Sequence, residues 1–409
     1  SHPSSHRDVP VTGPRSRPRL LVLASTFPAA ADDGTPAFVR DLAAHEATEF
    51  DTVVLVPRVR GAARRELPAA AGAMVVERFR YFPRRWEDLA DGAILENLRR
   101  RRSRWLQVVP FVVAEAWALR RAVRRHRPDV LHVHWIVPQG VAALLGARRV
   151  PWLVTTLGGD VYALKDPVSS RLKRAVLRRA GAVTAMNTDM AARLVRQGAP
   201  AHSTHVLPMG ADVDTVRAGG AGVERIPGRI VFVGRMVEKK GLAVLLEALR
   251  RVEVPGWSLE VVGDGPLRAS LEAAAAGLPV TFHGSLPRRE LAKAYARSEV
   301  VAVPSVAAAS GDQDGLPVAL LEAMAAGCAV VGSRIAGIDA AVVDGESGVL
   351  VPPGDPAALA GALTDLLADP DRRAKLGFAA RARADDFSVA SIGDRYCALL
   401  REVIARGTR

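Results

Sequence analysis

Residues 312–323 read DQDGLPVALLEA, a loop that runs into a helix. Asp314 lies in the loop, and Glu322 follows eight positions later in the helix. Pro317 suits the first helical position, because the N–H that proline lacks would have no helical partner there. Gly315 lets the backbone approach a ligand closely. The first-turn N–H groups attract phosphate and Glu322 can accept hydrogen bonds from a diol, so the segment predicts a sugar-phosphate site.

Short apolar runs alternate with helical patterns on both sides of this segment, as in parallel α/β sheets. The run RLLVL at 19–23 opens the first half as a buried strand, and RIVFV at 229–233 opens the second half in the same way. The expected fold is α/β, with two doubly wound, Rossmann-like domains that face each other across a central cleft.

The same alternation sets the expected domain boundaries. Residues 1–18 are polar and rich in Pro and Arg, which predicts a disordered tail. A first domain is expected over 19–209 and a second over 229–387. Between them, 210–228 is rich in glycine and small residues and is interpreted as a linker. A terminal helix over 388–409 is expected to pack back on the first domain.

Composition limits the class of protein. The chain has 409 residues, 49 % of them apolar, which is enough for two buried cores. Its two cysteines, Cys328 and Cys397, give no disulfide framework, so a cytoplasmic location is expected. The most apolar run, at 105–119, is interrupted by polar residues and is too short to cross a bilayer.

Positive charge is concentrated in the first half. Residues 1–205 contain 33 Lys and Arg against 18 Asp and Glu, whereas the remainder contains 23 against 25. Residues 99–104 read RRRRSR and lead into a stretch with several aromatic and aliphatic residues. This pattern predicts contact with an anionic membrane surface, on the inner face of the cell membrane. A solvated face is the alternative, and no nucleic-acid partner is expected, since no nucleic-acid-binding motif is present.

A second candidate site follows the strand at 229–233. Gly234 makes a turn there, and Arg235 and Lys240 lie before the next helix. Ligands of open α/β sheets bind off the carboxyl ends of strands, where these two cations can hold a diphosphate. A solvated loop is the alternative. The Gly-Asp-Gly-Pro turn at 263–266 is explained by tight-turn geometry alone, and Gly284, after the following strand, lies near an expected base-binding edge.

The first half offers two further polar candidates. His132 and His134 alternate on a strand, so both lie on one face. A hydrogen-bonding or acceptor-binding role is favoured for His134 over a metal site, because no third ligand has suitable spacing. A partner-satisfied strand-end histidine is the alternative. Asp160 is either a carboxylate in the cleft or a helix N-cap.

Together these residues resemble the family 4 retaining glycosyltransferases of GT-B architecture, the glycosyl transferase group 1 proteins. The resemblance runs from Leu20 on and is strongest over 230–366. Arg235 and Lys240 match the family's diphosphate pair. Asp314 stands where a Glu is usual, and Leu157 where many members have a His that contacts the donor sugar. Gly34 matches the loop that lies against the diphosphate.

The resemblance implies a set of roles. The catalytic residues would be Asp314, Arg235 and Lys240. Donor-binding residues would be Gly34, Gly234, Arg235, Lys240, Gly284, Gly315, Leu316, Pro317 and Glu322, while His134 and Asp160 would face the acceptor or line the cleft. The reaction implied is a metal-independent, cofactor-free transfer with retention, from a nucleotide-diphosphate sugar, UDP-linked in preference to GDP-linked, to an acceptor hydroxyl.

The segments 80–87 and 134–140 resemble members that build cell-envelope or exported polysaccharides, and natural-product glycosides are an equally open product class. A glycan, a lipid-linked molecule or a small molecule is therefore expected as acceptor. Two alternatives remain at this point. One is a nucleotide-sugar epimerase of the same architecture, and the other is a basic protein that binds membrane surfaces without catalysis.

Overall fold

The computed structural model describes residues 17–29, 37–67, 74–91, 94, 97–98 and 101–407. The elements of the first half are β1 (Arg19–Leu23), α1 (Phe38–Glu46), β2 (Asp51–Pro57), β3 (Arg65–Glu66), β4 (Val75–Phe79), α2 (Val108–His126), β5 (Val130–His134), α3 (Val141–Gly146), β6 (Trp152–Thr155), α4 (Gly159–Tyr162), α5 (Pro167–Arg179), β7 (Ala182–Ala185), α6 (Thr188–Gln197) and β8 (Thr204–Val206).

The second half continues with α7 (Val213–Gly219), β9 (Arg229–Val233), α8 (Leu242–Leu249), β10 (Ser258–Val262), α9 (Arg268–Ala274), β11 (Val280–Gly284), α10 (Arg288–Ala296), β12 (Val300–Val303), α11 (Val318–Ala325), β13 (Ala329–Ser333), α12 (Ile338–Ala341), β14 (Val349–Val351), α13 (Pro356–Ala368), α14 (Pro370–Arg383) and α15 (Val389–Gly407).

The strands form two sheets, one for each half of the chain. The first has the order β3-β4-β2-β1-β5-β6-β7-β8 and the second the order β11-β10-β9-β12-β13-β14. The described pairs are parallel except for β3 with β4. The expected α/β class with two doubly wound domains is confirmed.

Strand order fixes where a ligand can bind. In the first sheet the order reverses between β1 and β5, and in the second between β9 and β12. Ligands of open α/β sheets occupy the crevice beyond the carboxyl ends of the strands at such reversals. The loops after β9 and β12, which carry Lys240 and Asp314, therefore meet at the expected place.

Burial explains why the strands form. Residues 20–23 of β1 and 230–232 of β9 are at most 2 % exposed, as expected for parallel strands covered on both faces. One core cluster includes residues of the first sheet together with Leu316, Leu320 and Tyr295 of the second half. Apolar contact thus extends from one domain into the other.

The structure adds detail to the sequence analysis in three places. The segment 210–228 is not a simple linker, because α7 occupies it and packs on α10 and α11. Residues 75–79 form β4, a strand that the sequence analysis did not predict. Two helices, α13 and α14, lie between the last strand and the terminal helix.

The chain crosses between the domains twice, and the two crossings lie side by side. Ala211 donates its N–H to the carbonyl of Phe387 at 2.9 Å and accepts from the N–H of Val389 at 2.8 Å. After the second crossing, α15 packs on α1, β5 and β6 of the first domain. The buried Tyr396 hydroxyl donates to the carbonyl of Leu207 at 2.8 Å.

Within the described ranges, no helix has both the length and the apolar character needed to cross a membrane.

Leu400→Ala tests the contribution of α15. Leu400 is fully buried, so its truncation leaves a cavity and should lower the free energy of unfolding by about 2–5 kcal/mol. The measurement is denaturant unfolding followed by circular dichroism. Glu402→Ala, an exposed change on the same helix, is the control and should leave that free energy nearly unchanged. Equal stability of Leu400→Ala and the control would contradict a stabilising role for the docked helix.

Candidate functional site

The carboxylate of Asp314 lies between two lysines at the edge of the second sheet. Its Oδ2 is 2.6 Å from Nζ of Lys240, and its Oδ1 is 3.5 Å from Nζ of Lys239. Lys239 also lies 3.4 Å from Asp312. The lysines belong to a short turn after β9, and the two aspartates belong to the loop between β12 and α11. The structure therefore joins the two segments that the sequence singled out separately.

The lysines control the ionisation of Asp314. Burial alone would raise the pKa of this carboxyl, but the charges of Lys240 and Lys239 outweigh burial and hold its pKa below the usual value. Asp314 is therefore an anion at neutral pH, and an anion of this kind is a weak base. Its chemistry is that of a fixed negative charge and a hydrogen-bond acceptor.

The start of α11 lies beside this ion pair. The side chains of Lys240, Pro317 and Ala319 line one small cavity at the ends of β9 and β12. The helix begins at Val318, with Pro317 as the extended residue before it, one position later than the sequence suggested. The first-turn N–H groups and the Lys240 ammonium thus offer positive charge to one region, an arrangement that suits phosphate.

Gly315 meets the first domain. A side chain at this position would come within 2.7 Å of the Leu157 carbonyl oxygen and 2.6 Å of Met186. From the other side, a side chain on Gly158 would come within 2.8 Å of the Gly315 nitrogen. Asn187 donates to the carbonyl of Gly315 at 2.9 Å. The sequence expectation was close approach to a ligand, whereas the close approach that the structure shows is between the backbones of the two domains.

Glu322 is half-buried about one turn into α11. The hydroxyl of the buried Tyr295 donates to its Oε2 at 3.0 Å. Burial raises the pKa of Glu322 to about 7, although the Tyr295 bond and the positive charge of Arg288 oppose that rise. Burial therefore favours the neutral acid, a form that can donate as well as accept hydrogen bonds.

An ion pair next to Glu322 links the two domains. Arg288, the first residue of α10, forms two hydrogen bonds with Asp41 of α1, at 2.5 and 3.1 Å. It also lies 3.2 Å from Asp212, at the first crossing between the domains. The fork geometry of this contact is the strong form of a charged hydrogen bond. The contact therefore joins α1 of the first domain to α10 of the second domain beside Glu322.

The turn after β9 is shaped by glycines. A side chain on Gly263 would come within 2.0 Å of the Gly234 carbonyl oxygen, and one on Gly265 within 2.7 Å of the Met236 nitrogen. These glycines permit two turns to pack together, which agrees with the tight-turn interpretation. Gly284 accepts a hydrogen bond from the N–H of Gly263 at 2.8 Å. Arg235 is half-buried in the same turn, next to the lysines in sequence.

The histidines of β5 lie in a buried polar network. The rings of His132 and His134 stack with centroids 4.1 Å apart, so both do lie on one face. His132 is 2.6 Å from Glu46 and 2.7 Å from Thr155. His134 is fully buried, neither ring nitrogen has a partner among the described residues, and burial lowers its pKa. An acceptor-binding role for His134 stays a prediction, which would require it to become accessible.

Asp160 organises the loop that faces the second domain. Its Oδ1 accepts from the N–H groups of Leu157 and Gly158, both at 3.1 Å, and its Oδ2 from that of Ile136 at 3.0 Å. The N-cap interpretation is wrong, because Gly158 precedes α4 and Asp160 lies inside it. Burial raises the pKa of Asp160, and the three backbone donors oppose that rise. A direct role in the cleft stays a prediction.

Two of the remaining candidate residues, Gly34 and Leu316, are not observed at the ion pair of Lys240 with Asp314. Gly34 lies outside the described residues. Leu316 is buried in the core cluster shared by the two domains, so its side chain serves packing. Sequence reasoning missed Lys239, Tyr295 and Arg288. Lys239 had a signal, as the neighbour of Lys240, but the other two gain their partners only through contacts distant in sequence.

Both halves of the chain resemble known proteins. Residues 227–369 match the family model described as glycosyl transferases group 1, and residues 33–210 match the one described as glycosyl transferase 4-like domain. A mannosyltransferase of Mycolicibacterium smegmatis, described as GDP-mannose-dependent alpha-(1-6)-phosphatidylinositol monomannoside mannosyltransferase, is 32 % identical over 64 % of this chain and 72 % of its own length. The chain belongs to the family 4 glycosyltransferases.

The chain is also similar to a second glycosyltransferase and to a solved structure. The amylovoran biosynthesis glycosyltransferase AmsK of Erwinia amylovora is 37 % identical over 42 % of this chain and 44 % of its own length. Among solved structures, sucrose-phosphate synthase from Thermosynechococcus elongatus has a TM-score of 0.75 at 22 % identity, covering 95 % of this chain and all of that one. The last likeness concerns the fold alone and confirms the expected GT-B architecture.

Gly315→Ala tests the contact between the domains in this glycosyltransferase. The added methyl group would collide with the Leu157 carbonyl and with Met186, so the free energy of unfolding should fall by about 1–3 kcal/mol. The control is Gly361→Ala in α13, where a methyl group meets nothing within 4 Å and should raise stability by about 1 kcal/mol. Thermal or denaturant unfolding of both variants is the measurement. A Gly315→Ala protein as stable as wild type would contradict the tight backbone contact.

Proposed function

We propose that this glycosyltransferase moves a sugar from a nucleotide-diphosphate sugar to an acceptor hydroxyl, with retention of the anomeric configuration. The observation that carries the proposal is the contact between Lys240 and Asp314 beside the start of α11, with Glu322 about one turn further along. This arrangement offers positive charge, a fixed anion and a second carboxyl in sequence along one wall. These groups suit the three polar parts of the donor: cations for the diphosphate, the anion for sugar hydroxyls and the second carboxyl for the ribose diol.

Each part of the donor has a matching group. The diphosphate would bind Lys240, Arg235 and the N–H groups that open α11. Once phosphate oxygens engage Lys240, the carboxylate of Asp314 becomes available to accept hydrogen bonds from sugar hydroxyls. Glu322 would accept from the ribose diol. The ion pair compensates two partly buried charges, and the donor phosphate would replace one partner of that pair.

The ionisation states favour a reaction without a side-chain base. In the proposed step, the bond between the anomeric carbon and the diphosphate oxygen breaks while a bond to the acceptor oxygen forms on the same face of the sugar. The acceptor proton passes to the departing diphosphate oxygen. Asp314 is a weak base because two lysines lower its pKa, and Asp160 is occupied by three backbone donors. Positioning and charge stabilisation by Arg235 and Lys240 then supply the acceleration.

We also propose a donor nucleotide and a class of acceptor. We retain the UDP-sugar as the preferred donor, although the name of the Mycolicibacterium relative specifies GDP-mannose, so both nucleotides belong in the test. Stabilisation by UDP above that by GDP, read as a thermal shift, would support the preference. The names of the relatives concern a phosphatidylinositol monomannoside and amylovoran biosynthesis. We accordingly propose an acceptor used in cell-envelope or exported glycan synthesis.

The proposed cationic clamp gives a first prediction for activity. Lys240→Ala and Arg235→Ala should each lower the transfer rate at least about tenfold, because each loses a charged hydrogen bond worth about 1.5–3 kcal/mol. The measurement is release of nucleoside diphosphate in the presence of donor and acceptor, repeated with a chelator to test metal independence. Lys293→Ala, an exposed lysine of α10 that pairs with Glu290, is the matched control and should retain full activity.

Two outcomes would contradict the proposal. Wild-type rates in both Lys240→Ala and Arg235→Ala would remove the diphosphate site from this position. Conversion of the donor to an epimeric nucleotide sugar without any acceptor would instead identify an epimerase of the same architecture.

The pKa of Glu322 gives a second prediction, on pH. With a pKa of about 7, Glu322 gains its proton as pH falls from 8 to 6, and the neutral acid is a weaker acceptor for ribose hydroxyls. As pH falls from 8 to 6, the affinity of the wild type for UDP should therefore fall by more than the affinity of Glu322→Gln does, because the glutamine does not titrate. The phosphate of UDP titrates in both proteins, so the ratio of their calorimetric dissociation constants isolates Glu322. A ratio independent of pH would contradict the role.

A further inference from the structure

One side of α2 exposes a row of large apolar side chains. Val109, Val113 and Trp117 are spaced four residues apart, so they lie along one side of the helix. They are 70 %, 59 % and 64 % exposed. The opposite side carries Phe111 and Leu119, which are buried in the core of the first domain. One apolar side of α2 therefore packs against the core. The exposed row is a second apolar side of the same helix, and no described part of the chain covers it.

Three more apolar side chains extend the row at the start of the helix. Trp105 and Leu106, in the turn that leads into α2, are 56 % and 74 % exposed. Trp86 is held nearby, because the Gln107 side chain donates to its carbonyl at 2.9 Å. We refer to Trp86, Trp105, Leu106, Val109, Val113 and Trp117 together as the α2 face. An apolar surface of this kind on a soluble domain marks an interaction site.

Arginines flank the α2 face at both ends. Exposed arginines lie before the helix and in its last turns: Arg84, Arg85, Arg102, Arg120, Arg121 and Arg124. None of them has an ion pair with a carboxylate among the described residues. Two rest on the tryptophans of the face, Arg85 at 3.9 Å from the Trp86 ring and Arg121 at 5.7 Å from the Trp117 ring. The face therefore combines apolar side chains with uncompensated positive charge.

The nearby carboxylates are engaged elsewhere. Asp88 forms hydrogen bonds with Arg104 and Gln107, and Glu87 accepts from the backbone N–H of Tyr81. Glu115 is fully buried on the core side of α2. Since these acidic groups are directed inward or paired, they do not offset the arginines at the rim.

The start of the α2 face lies towards the cleft end of the domain. β4 and β5 are both parallel members of the sheet, so the chain between them must return from the carboxyl edge to the amino edge. Because α2 makes that return, its start, with Trp86, Trp105 and Leu106 around it, lies towards the carboxyl edge. The cleft lies at that same edge.

We propose that the α2 face docks on the surface of an anionic lipid bilayer. The tryptophans and aliphatic side chains enter the boundary between headgroups and acyl chains, and the arginines contact lipid phosphates. A second copy of the chain is the less suitable occupant, because a symmetric contact would bring like arginine rims together. Given the proposed transfer function, docking at this edge would bring the cleft close to a lipid-linked acceptor.

Vesicle flotation of the full chain tests the proposal. Wild type should bind phosphatidylglycerol–phosphatidylcholine vesicles, more weakly at high salt, and show little binding to phosphatidylcholine alone. Trp105→Ser/Trp117→Ser and Arg120→Glu/Arg124→Glu should each lower binding at least about tenfold. These side chains are exposed, so both variants should keep the wild-type fold. Phe378→Ser, at a 77 % exposed position of α14, and Arg289→Glu on α10 are matched controls that should bind as wild type does.

Three results would overturn docking at this face. The first is a lack of wild-type binding to anionic vesicles, and the second is wild-type binding by both face variants. The third is a dimer in sedimentation that Trp105→Ser/Trp117→Ser converts to monomer, without vesicle binding by the wild type. Stabilisation by UDP is measured on the same samples. If that stabilisation persists while vesicle binding fails, docking alone is overturned, and if the reverse holds, only the proposed donor site is.

Discussion

The two domains contact each other through the backbone of two glycines, one from each domain. Gly158 and Gly315 face each other across the cleft, and the backbone atoms between them approach so closely that a methyl group on either would collide. Everything else at the site depends on this approach. Asp160 fixes the Leu157–Gly158 loop from behind, and Asn187 binds the carbonyl of Gly315. The loop that carries Asp314 is thus positioned by the first domain as well as by its own sheet.

Charge compensation follows from that positioning. A loop held against the opposite domain places Asp314 in a buried location, where an isolated carboxylate would be unfavourable. Lys239 and Lys240 remove the difficulty because both come from the neighbouring turn after β9. Glu322 has a hydroxyl partner rather than a cation in direct contact, which is why the two carboxyl groups of one segment differ in pKa in opposite directions.

Sequence patterns predicted those strands whose formation depends on residues close together in the chain. The strands RLLVL and RIVFV were placed to the residue, because a continuous apolar run between turns has few alternatives. β4 was missed because Glu77 and Arg78 interrupt its apolar pattern. The partners of the buried Arg78 include the Pro28 carbonyl and Glu66, which local spacing does not reveal.

Long-range contacts were the main source of error. α7 was read as linker because Gly219 and Gly220 end it, yet these are small so that Ala292 and Ala296 can pack against them. In the site, the residue types at 235, 240, 314 and 322 were informative on their own. The bond from Tyr295 to Glu322 and the pair of Arg288 with Asp41, 247 positions apart, arise from folding and have no local signature.

The double crossing near Ala211 and Val389 has a mechanical consequence. A single peptide connection would let one domain twist, slide or swing relative to the other. Two connections that are hydrogen-bonded side by side resist twisting and sliding, and leave swinging about the line through them as the soft motion. The cleft would then open by a hinge motion about that line, widest at the edge far from the crossing, and opening would separate Gly158 from Gly315 and break the bond from Asn187 to the Gly315 carbonyl.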